Sequence, residues 1–113
     1  MGGGISGFSN GSGSRSSKVN WDKQSRHDKH SKKYVKGKTY LTISKDKIQN
    51  FIDSHLPAAQ KINDEKYRIH SNKIIGMYID RSGRAHPTTN AIIVKSKTGS
   101  HIYPSRPDNF KGE

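Results

Sequence analysis

The sequence predicts an α+β fold in which helices come first and an antiparallel β-sheet of about four strands follows. Apolar residues recur at helical spacing from residue 48 to 56, and four β-rich stretches follow this segment, separated by short gaps. Gaps of that length favour antiparallel neighbours. With 113 residues, of which 28% are hydrophobic, the chain can hold one modest domain with a small core.

Two segments account for the predicted helices. Residues 21–34 are polar and suit a helix or an ordered basic loop. As a helix, this segment would place on one face Trp21, Gln24, His27 and Tyr34. Residues 45–56 suit an amphipathic helix that begins after Ser44 and ends at Pro57, with apolar positions Ile48, Phe51, Ile52 and Leu56. We expect this second helix to pack on one face of the sheet.

The strands are predicted from short runs of β-branched and aromatic residues. One run, at residues 40–43, precedes the amphipathic helix. The later runs cover residues 67–70, 74–80, 91–95 and 101–103. Gly83 and Gly99 mark turns. Residues 66–106 hold eight Lys or Arg against one Asp, so we expect the sheet face opposite the helix to bind an anionic ligand.

Composition divides the chain near residue 20. Residues 1–19 are predicted to be a disordered linker, because six Gly and six Ser fill twelve of the first seventeen positions. The folded domain is expected over residues 20–107, with a tail at 108–113.

The sequence has no cysteine, which excludes disulfides, thiolate zinc sites and cysteine nucleophiles. No apolar run reaches the roughly 18 residues of a membrane span, so no membrane partner is expected.

Positive charge is concentrated near the start of the predicted domain. Residues 23–38 contain seven Lys or Arg, two His and one Asp. The whole chain has 21 Lys and Arg against 9 Asp and Glu, a formal charge of +12. Burial of unpaired cations is costly, so this segment must face water or a polyanion. The expected partner is a nucleic acid or an acidic protein.

His27 and His101 are the candidate acid and base. RNA cleavage without a metal needs a base for the 2'-hydroxyl, an acid for the leaving 5'-oxygen, and cations for the charge that builds on phosphorus. Both histidines stand among cations and small hydroxyl residues. An ordinary surface histidine is the alternative for each. A metal site at His27, Asp28 and His30 is disfavoured because the nearby lysines would repel a divalent cation, and no cofactor is predicted.

Three blocks of the sequence resemble the polymorphic toxin type 50 domain. They are Gln-x-basic-His at 24–27, Gly-basic-hydroxyl-x-Leu-Thr at 37–42, and Ser-Lys-x-Gly-x-His-Ile at 96–102. The resemblance covers residues 20 to about 107. It implies a ribonuclease toxin of the barnase, EndoU, colicin and RelE-like fold, with N-terminal helices and a curved antiparallel sheet. Such domains are C-terminal effectors of bacterial polymorphic toxins or parts of phage-related head proteins, usually answered by an immunity protein.

The resemblance also implies a site. Catalytic roles are expected for His27, Lys38, Thr42, Lys97 and His101, with the histidines as acid and base and the lysines stabilising charge. RNA contacts are expected from Arg26, Lys29, Thr39, Thr88 and Tyr103. Thr42 could equally be a half-buried strand residue. After His27 the sequence departs from the family pattern, with Asp28-Lys29-His30-Ser31 in place of an apolar residue and a glycine turn, so His30 is an alternative to His27.

The expected partners are RNA and an acidic immunity protein, and the free domain is expected to be monomeric. The resemblance places the domain in a bacterium, secreted or delivered within a larger toxin or phage protein, and acting in the target-cell cytoplasm. Two other functions stay open. One is a non-catalytic nucleic-acid-binding module, with bases stacked on Tyr40, Tyr67, Tyr78 or Tyr103. The other is a phage structural protein whose toxin-like fold has lost activity.

Overall fold

The computed structural model describes residues 16–108 and 110. The rest of the predicted linker and tail, residues 1–15, 109 and 111–113, lies outside them. Two α-helices are present in the described part, α1 (Trp21–Gln24) and α2 (Ile48–His55). Short 3-10 turns cover Ser25–His27, Lys45–Lys47 and Leu56–Ala58. None of the helices in this part is long and apolar enough to cross a membrane.

Seven strands follow one another between residues 40 and 104. They are β1 (Tyr40–Leu41), β2 (Gln60–Lys61), β3 (Lys66–His70), β4 (Gly76–Ile79), β5 (Ala85–Thr88), β6 (Asn90–Ser96) and β7 (Gly99–Pro104). They form a three-stranded sheet in the order β1-β4-β5 and a four-stranded sheet in the order β2-β3-β6-β7. Every pairing between them is antiparallel. The α+β class is confirmed, with more strands than the sequence predicted and with two sheets in place of one.

The two strands that the sequence did not predict have physical reasons for their weak signal. β5 contains Pro87, which lacks an N–H and is usually a mark against a strand; here the strand is at the edge of its sheet, where proline is tolerated. β2 is two exposed residues long, so it carries no apolar pattern. Local sequence therefore missed one edge strand of each sheet, while it predicted the central strands and the other two edges.

The helix α2 packs on the four-stranded sheet as predicted. Ile48 and Ile52 are buried, and they join the core formed by Ile69, Ile93 and Ile102 of β3, β6 and β7. Full burial of a side chain of this size stabilises the fold by about 1.5–3 kcal/mol. The three-and-four spacing of the apolar residues thus determines which face of the helix meets the sheet.

The basic segment contains less helix than residues 21–34 allowed. α1 has four residues, and Asn20 caps it by accepting a hydrogen bond from the backbone N–H of Lys23 at 3.2 Å. Gln24 is buried whereas Trp21 is 41% exposed, so the expected shared face does not form. Repulsion among closely spaced cations disfavours a longer helix. Beyond His27 the chain runs as turns as far as β1.

The packed part of the chain extends beyond residues 20–107 at both ends. Ser16, assigned by composition to the linker, donates its backbone N–H to the carbonyl of Ser96 at 2.9 Å. Val19 is buried in the core. At the other end, the Phe110 ring lies 4.8 Å from the His86 ring. Residues 16–19 therefore belong to the folded domain.

Candidate active site

The candidate site lies on the face of the four-stranded sheet opposite α2. Ile102 of β7 points into the core, so its neighbours His101 and Tyr103 point to the other face. Lys66 on β3 lies in the same cross-strand row as His101, and Arg68 lies in the row of Tyr103. The predicted open face is therefore present, and each of these two cations lies two strand spacings, roughly 10 Å, from the β7 residue in its own row.

His27 completes a cluster of three rings on this face. The 3-10 turn after α1 carries it over β7, where its ring is parallel to that of His101, with centroids 5.8 Å apart and planes at 5°. The Tyr103 ring lies 5.4 Å from His27 and 6.1 Å from His101. The structure thus brings His27 to two residues that lie more than seventy positions further along the chain, and we call the three residues the ring cluster.

A hydrogen bond orients the His27 ring. Its Nδ1 lies 3.3 Å from the backbone carbonyl of Thr39. A carbonyl can only accept, so Nδ1 carries the proton in this contact, and a neutral ring then has its lone pair on Nε2. Tyr34 helps to hold the loop that leads to Thr39, because its hydroxyl donates to the carbonyl of Lys38 at 2.6 Å.

The surroundings of the two histidines favour their neutral forms. Burial lowers the pKa of His27 from its ordinary value, and the charges of Lys38 and Arg26 lower it further, against the opposing effect of the Thr39 carbonyl. Burial lowers the pKa of His101 to about 4, with additional contributions from His27, Lys23 and Arg26. Both rings are therefore neutral at pH 7, and an anion placed beside them would favour protonation.

Lys23 and Arg26 are the cations whose charges lower the pKa of His101. The Lys23 ammonium lies 3.4 Å from the Ser96 hydroxyl and 3.3 Å from the Thr98 hydroxyl, at the β6–β7 turn. The Arg26 guanidinium lies 3.7 Å from the exposed carboxylate of Asp22. Such an exposed ion pair is weak, so Arg26 can exchange this carboxylate for a phosphate.

One comparison with known proteins decides the family. The family described as Bacterial toxin 50 matches residues 19–104, which include the ring cluster and both sheets. The chain belongs to the bacterial toxin 50 family. The resemblance drawn from the three sequence blocks is confirmed by this match. No curated protein matches the chain.

A cleft of about 370 Å³ opens beside His27 in this toxin domain. The residues that line it include three for which the sequence predicted a role in catalysis or RNA binding: Lys29, Tyr40 and Thr42. The Lys29 ammonium lies 5.0 Å from the centroid of the Tyr40 ring. Thr42 is exposed, in agreement with a side chain that faces the cleft. We call this feature the His27 cleft.

Two predicted residues lie apart from the ring cluster of the toxin. Lys97 is exposed in the β6–β7 turn, between the paired residues Ser96 and Gly99. His101 lies on β7, two residues after Gly99. Thr88 is buried, and its hydroxyl donates to the carbonyl of Ser105 at 2.8 Å. We therefore leave Thr88 out of the proposed site, because its hydroxyl already joins β5 to the chain that follows β7.

Lys23 and Gln24 contact the β6–β7 hairpin beside His101, although neither of them was predicted from the sequence to have a role. Gln24 is buried and bonds to both backbone groups of Ile102. The available signal was that Gln24 opens the first block and that Lys23 directly precedes it. Which cations reach His101 depends on the contact between α1 and β7, and no local pattern shows that contact.

Within residues 16–108 and 110, no three His, Cys, Asp or Glu side chains gather in a way that could hold a metal ion. Asp28 instead accepts a hydrogen bond from the backbone N–H of His30 at 2.9 Å. The three side chains from 27 to 30 that suggested a metal site therefore do not converge, and His30 lines the His27 cleft.

Proposed function

We propose that this toxin domain is a metal-independent endoribonuclease with His27 and His101 as its acid and base. The observation that carries the proposal is the parallel arrangement of the two neutral rings on a cationic sheet face. General acid–base catalysis requires a proton acceptor and a proton donor close to one phosphodiester, and histidine suits both roles.

The environments of the rings suggest how the roles divide. His101, with its pKa lowered to about 4, is the neutral base that takes the proton of the 2'-hydroxyl. The 2'-oxygen attacks phosphorus, and the bond to the 5'-oxygen breaks. His27 gives that oxygen a proton, because the Thr39 carbonyl favours its protonated ring once the phosphate's negative charge is near. The products are a 2',3'-cyclic phosphate and a 5'-hydroxyl.

Cations around the ring cluster would stabilise the charge that develops on the phosphate. Lys38 acts on His27, and Lys23 and Arg26 act on His101, so these three are the preferred charge stabilisers. Lys97 keeps its predicted role as a cation at the turn. We place it further from phosphorus than the other three, because the charges of those three lower the pKa of His27 or His101.

The His27 cleft would hold a nucleotide next to the scissile phosphate. Tyr40 offers a ring for base stacking beneath the Lys29 ammonium. Thr42 lines the cleft, where its hydroxyl would be close to a bound ribose or phosphate, and Thr39 keeps its predicted RNA contact as the residue just before Tyr40. Tyr103 would support a base or ribose on the other side of His27.

We further propose that an acidic immunity protein neutralises the toxin by covering this cationic face. The excess of 21 Lys and Arg over 9 Asp and Glu supplies the complementary charge. Delivery within a larger toxin or phage protein, action in the target-cell cytoplasm, and a monomeric free domain complete the proposal.

The test is incubation of the purified domain with total bacterial RNA in EDTA, beside the variants His101→Ala and His55→Ala. His55 is a matched control, because its ring stacks on Phe51 of α2 at 4.0 Å, away from the ring cluster. We expect wild type and His55→Ala to leave 2',3'-cyclic phosphate ends. Loss of His101 should lower the cleavage rate by about 10²–10⁴-fold while RNA binding at low salt stays nearly unchanged.

Intact RNA after incubation with the wild-type domain, with binding still measurable at low salt, would favour the non-catalytic binding module. A second readout is growth of a bacterial host that expresses the domain without an immunity protein. We expect wild type to stop growth and His101→Ala to permit it. Equal growth with both would support the inactive phage-protein alternative.

A further inference from the structure

Gln24 makes an unusual pair of hydrogen bonds at the edge of β7. Its side chain is 1% exposed. Its Nε2 donates to the carbonyl of Ile102 at 2.9 Å, and its Oε1 accepts from the N–H of the same residue at 2.8 Å. The amide thus takes the place of a neighbouring strand, on the edge of β7 opposite β6.

These two bonds join the elements that carry the catalytic rings. Gln24 is the last residue of α1, three positions before His27, and Ile102 stands between His101 and Tyr103. A further connection lies two residues earlier on β7, where the backbone N–H of Asn20 donates to the carbonyl of Ser100 at 2.8 Å. Ser100 and Ile102 flank His101, so both connections reach a neighbour of that ring, but Gln24 is three positions from His27 along the chain whereas Asn20 is seven.

We propose that Gln24 is a positioning residue that sets the separation and the parallel orientation of the His27 and His101 rings. The amide is neutral, and its two hydrogen bonds go to the backbone of Ile102 and not to either ring. It acts by holding the turn that bears His27 at one height above β7. The catalytic consequence rests on the proposed ribonuclease function, whereas the geometric claim does not.

An ordinary anchoring role would also explain a buried glutamine, so the deciding readout must report on the rings themselves. The groups that face His101 are His27 and Tyr103 in the ring cluster, Lys23 and Arg26 from the α1 region, and Lys66 across the sheet. Burial and His27 are the two largest causes of the lowered pKa of His101. Both weaken when the rings separate, so the pKa of His101 reports on the spacing.

The experiment compares Gln24→Met with Gln49→Met by NMR titration of the His101 imidazole in the absence of RNA. Gln49 is a matched control: it accepts from the N–H of Val19 at 2.8 Å and donates to the carbonyl of Ser17 at 3.1 Å. Each variant removes one pair of hydrogen bonds between a side chain and the backbone: Gln24→Met removes the pair to β7, and Gln49→Met removes the pair to residues 17–19. The expected result is a rise in the pKa of His101 by about one pH unit or more in Gln24→Met only.

Cleavage assays on the same variants separate positioning from binding. For Gln24→Met we expect kcat to fall roughly ten- to hundredfold, with KM for RNA within about threefold of wild type. Gln49→Met should retain the wild-type kcat. If Gln24→Met does not fold, Gln24→Asn replaces it, because the shorter neutral amide cannot span both groups of Ile102.

An unchanged His101 titration in a folded Gln24 variant would overturn the proposal, as would wild-type kcat in that variant. A wild-type domain that leaves RNA intact would defeat the ribonuclease function alone, because the titration needs no substrate. In that case the rise in the pKa of His101 would still establish Gln24 as the residue that spaces the rings.

Discussion

At the scale of single residues, the two histidines differ in what holds them. His27 donates from Nδ1 to the Thr39 carbonyl, an acceptor that favours the protonated ring. His101 lies on a strand, and burial, His27, Lys23 and Arg26 all oppose its protonation. His101 is thus held in its neutral form, the form that the proposed base requires, whereas the Thr39 carbonyl partly offsets the lowering of the pKa of His27.

The lowered pKa of His101 predicts a pH-dependent stability. The unfolded histidine has a pKa near 6.5 and the folded one near 4, so the unfolded state binds more protons between these values. The free energy of unfolding should therefore be highest above pH 6.5 and fall as pH decreases toward 4. Denaturant unfolding at several pH values from 7 to 4.5 measures this, and His101→Gln should flatten the decline.

His27 acts in the same direction, so part of the decline should remain in that variant. Asp80, whose carboxylate pKa is lowered by its hydrogen bond to His86, affects stability only below its ordinary value of 3.8, outside this window. His55→Gln is the control. Equal slopes for His101→Gln and wild type would contradict the assigned pKa.

At the scale of elements, the β6–β7 hairpin and the segment 16–20 form one unit. Gly99 lies at the hairpin turn with φ +121°, and a Cβ atom there would meet the Lys18 carbonyl oxygen at 2.7 Å. The backbone N–H of Ser100 donates to the same carbonyl at 2.7 Å. A close approach of two backbones thus fixes the start of the domain beside the strand that carries His101.

This approach predicts different costs for alanine at two glycines. Gly83 also has positive φ, +89°, but nothing lies within 4 Å of its Cβ position. Gly83→Ala should lower the free energy of unfolding by about 1–2 kcal/mol through backbone strain. Gly99→Ala adds a steric overlap of about 1–3 kcal/mol. Thermal or denaturant unfolding of both variants measures the difference, and equal losses would refute the close contact.

At the scale of the whole molecule, the two faces of the four-stranded sheet differ in what they contact. One face of the four-stranded sheet meets α2 and forms the core. The other holds the ring cluster with Lys66 and Arg68 in its rows. Both side chains belong to exposed residues of β3. A strand of RNA that crosses the ring cluster along these rows would meet them.

The charge on this face predicts a salt dependence of RNA binding. In a His101→Ala background, the affinity for single-stranded RNA should fall linearly on a log–log plot against salt. Lys66→Gln with Arg68→Gln should reduce the slope by about 1.4, since each phosphate contact contributes about 0.7. Fluorescence anisotropy with a labelled RNA measures both affinity and slope.

Lys61→Gln is the matched control for that experiment. Lys61 pairs in register with Tyr67, which packs against the core side of the same sheet, and its ammonium lies 3.3 Å from the Asp64 carboxylate. We expect its loss to leave the slope unchanged. A slope that falls equally in both variants would show that RNA does not select the ring-cluster face.

Much of the fold could be predicted from local patterns. The spacing of Ile48 and Ile52 indicated the helix face that the core covers, and β-branched runs indicated the central strands. β2 and β5 could not be predicted, because short edge strands need little burial and β5 contains a proline. For the site, His27, Arg26, His101 and Tyr103 were predicted from sequence motifs and meet on one face.

The sequence by itself determined the α+β class, the family, the cationic character and the histidines, because periodicity, charge and motif spacing are local properties. Only the tertiary structure decided that the rings lie parallel, that Lys23 acts on His101, that Thr88 is buried, and that Gln24 joins α1 to β7. The two bonds of Gln24 connect residues 78 positions apart. Such contacts depend on how whole elements pack, and no local pattern in the chain specifies which partner a side chain will meet.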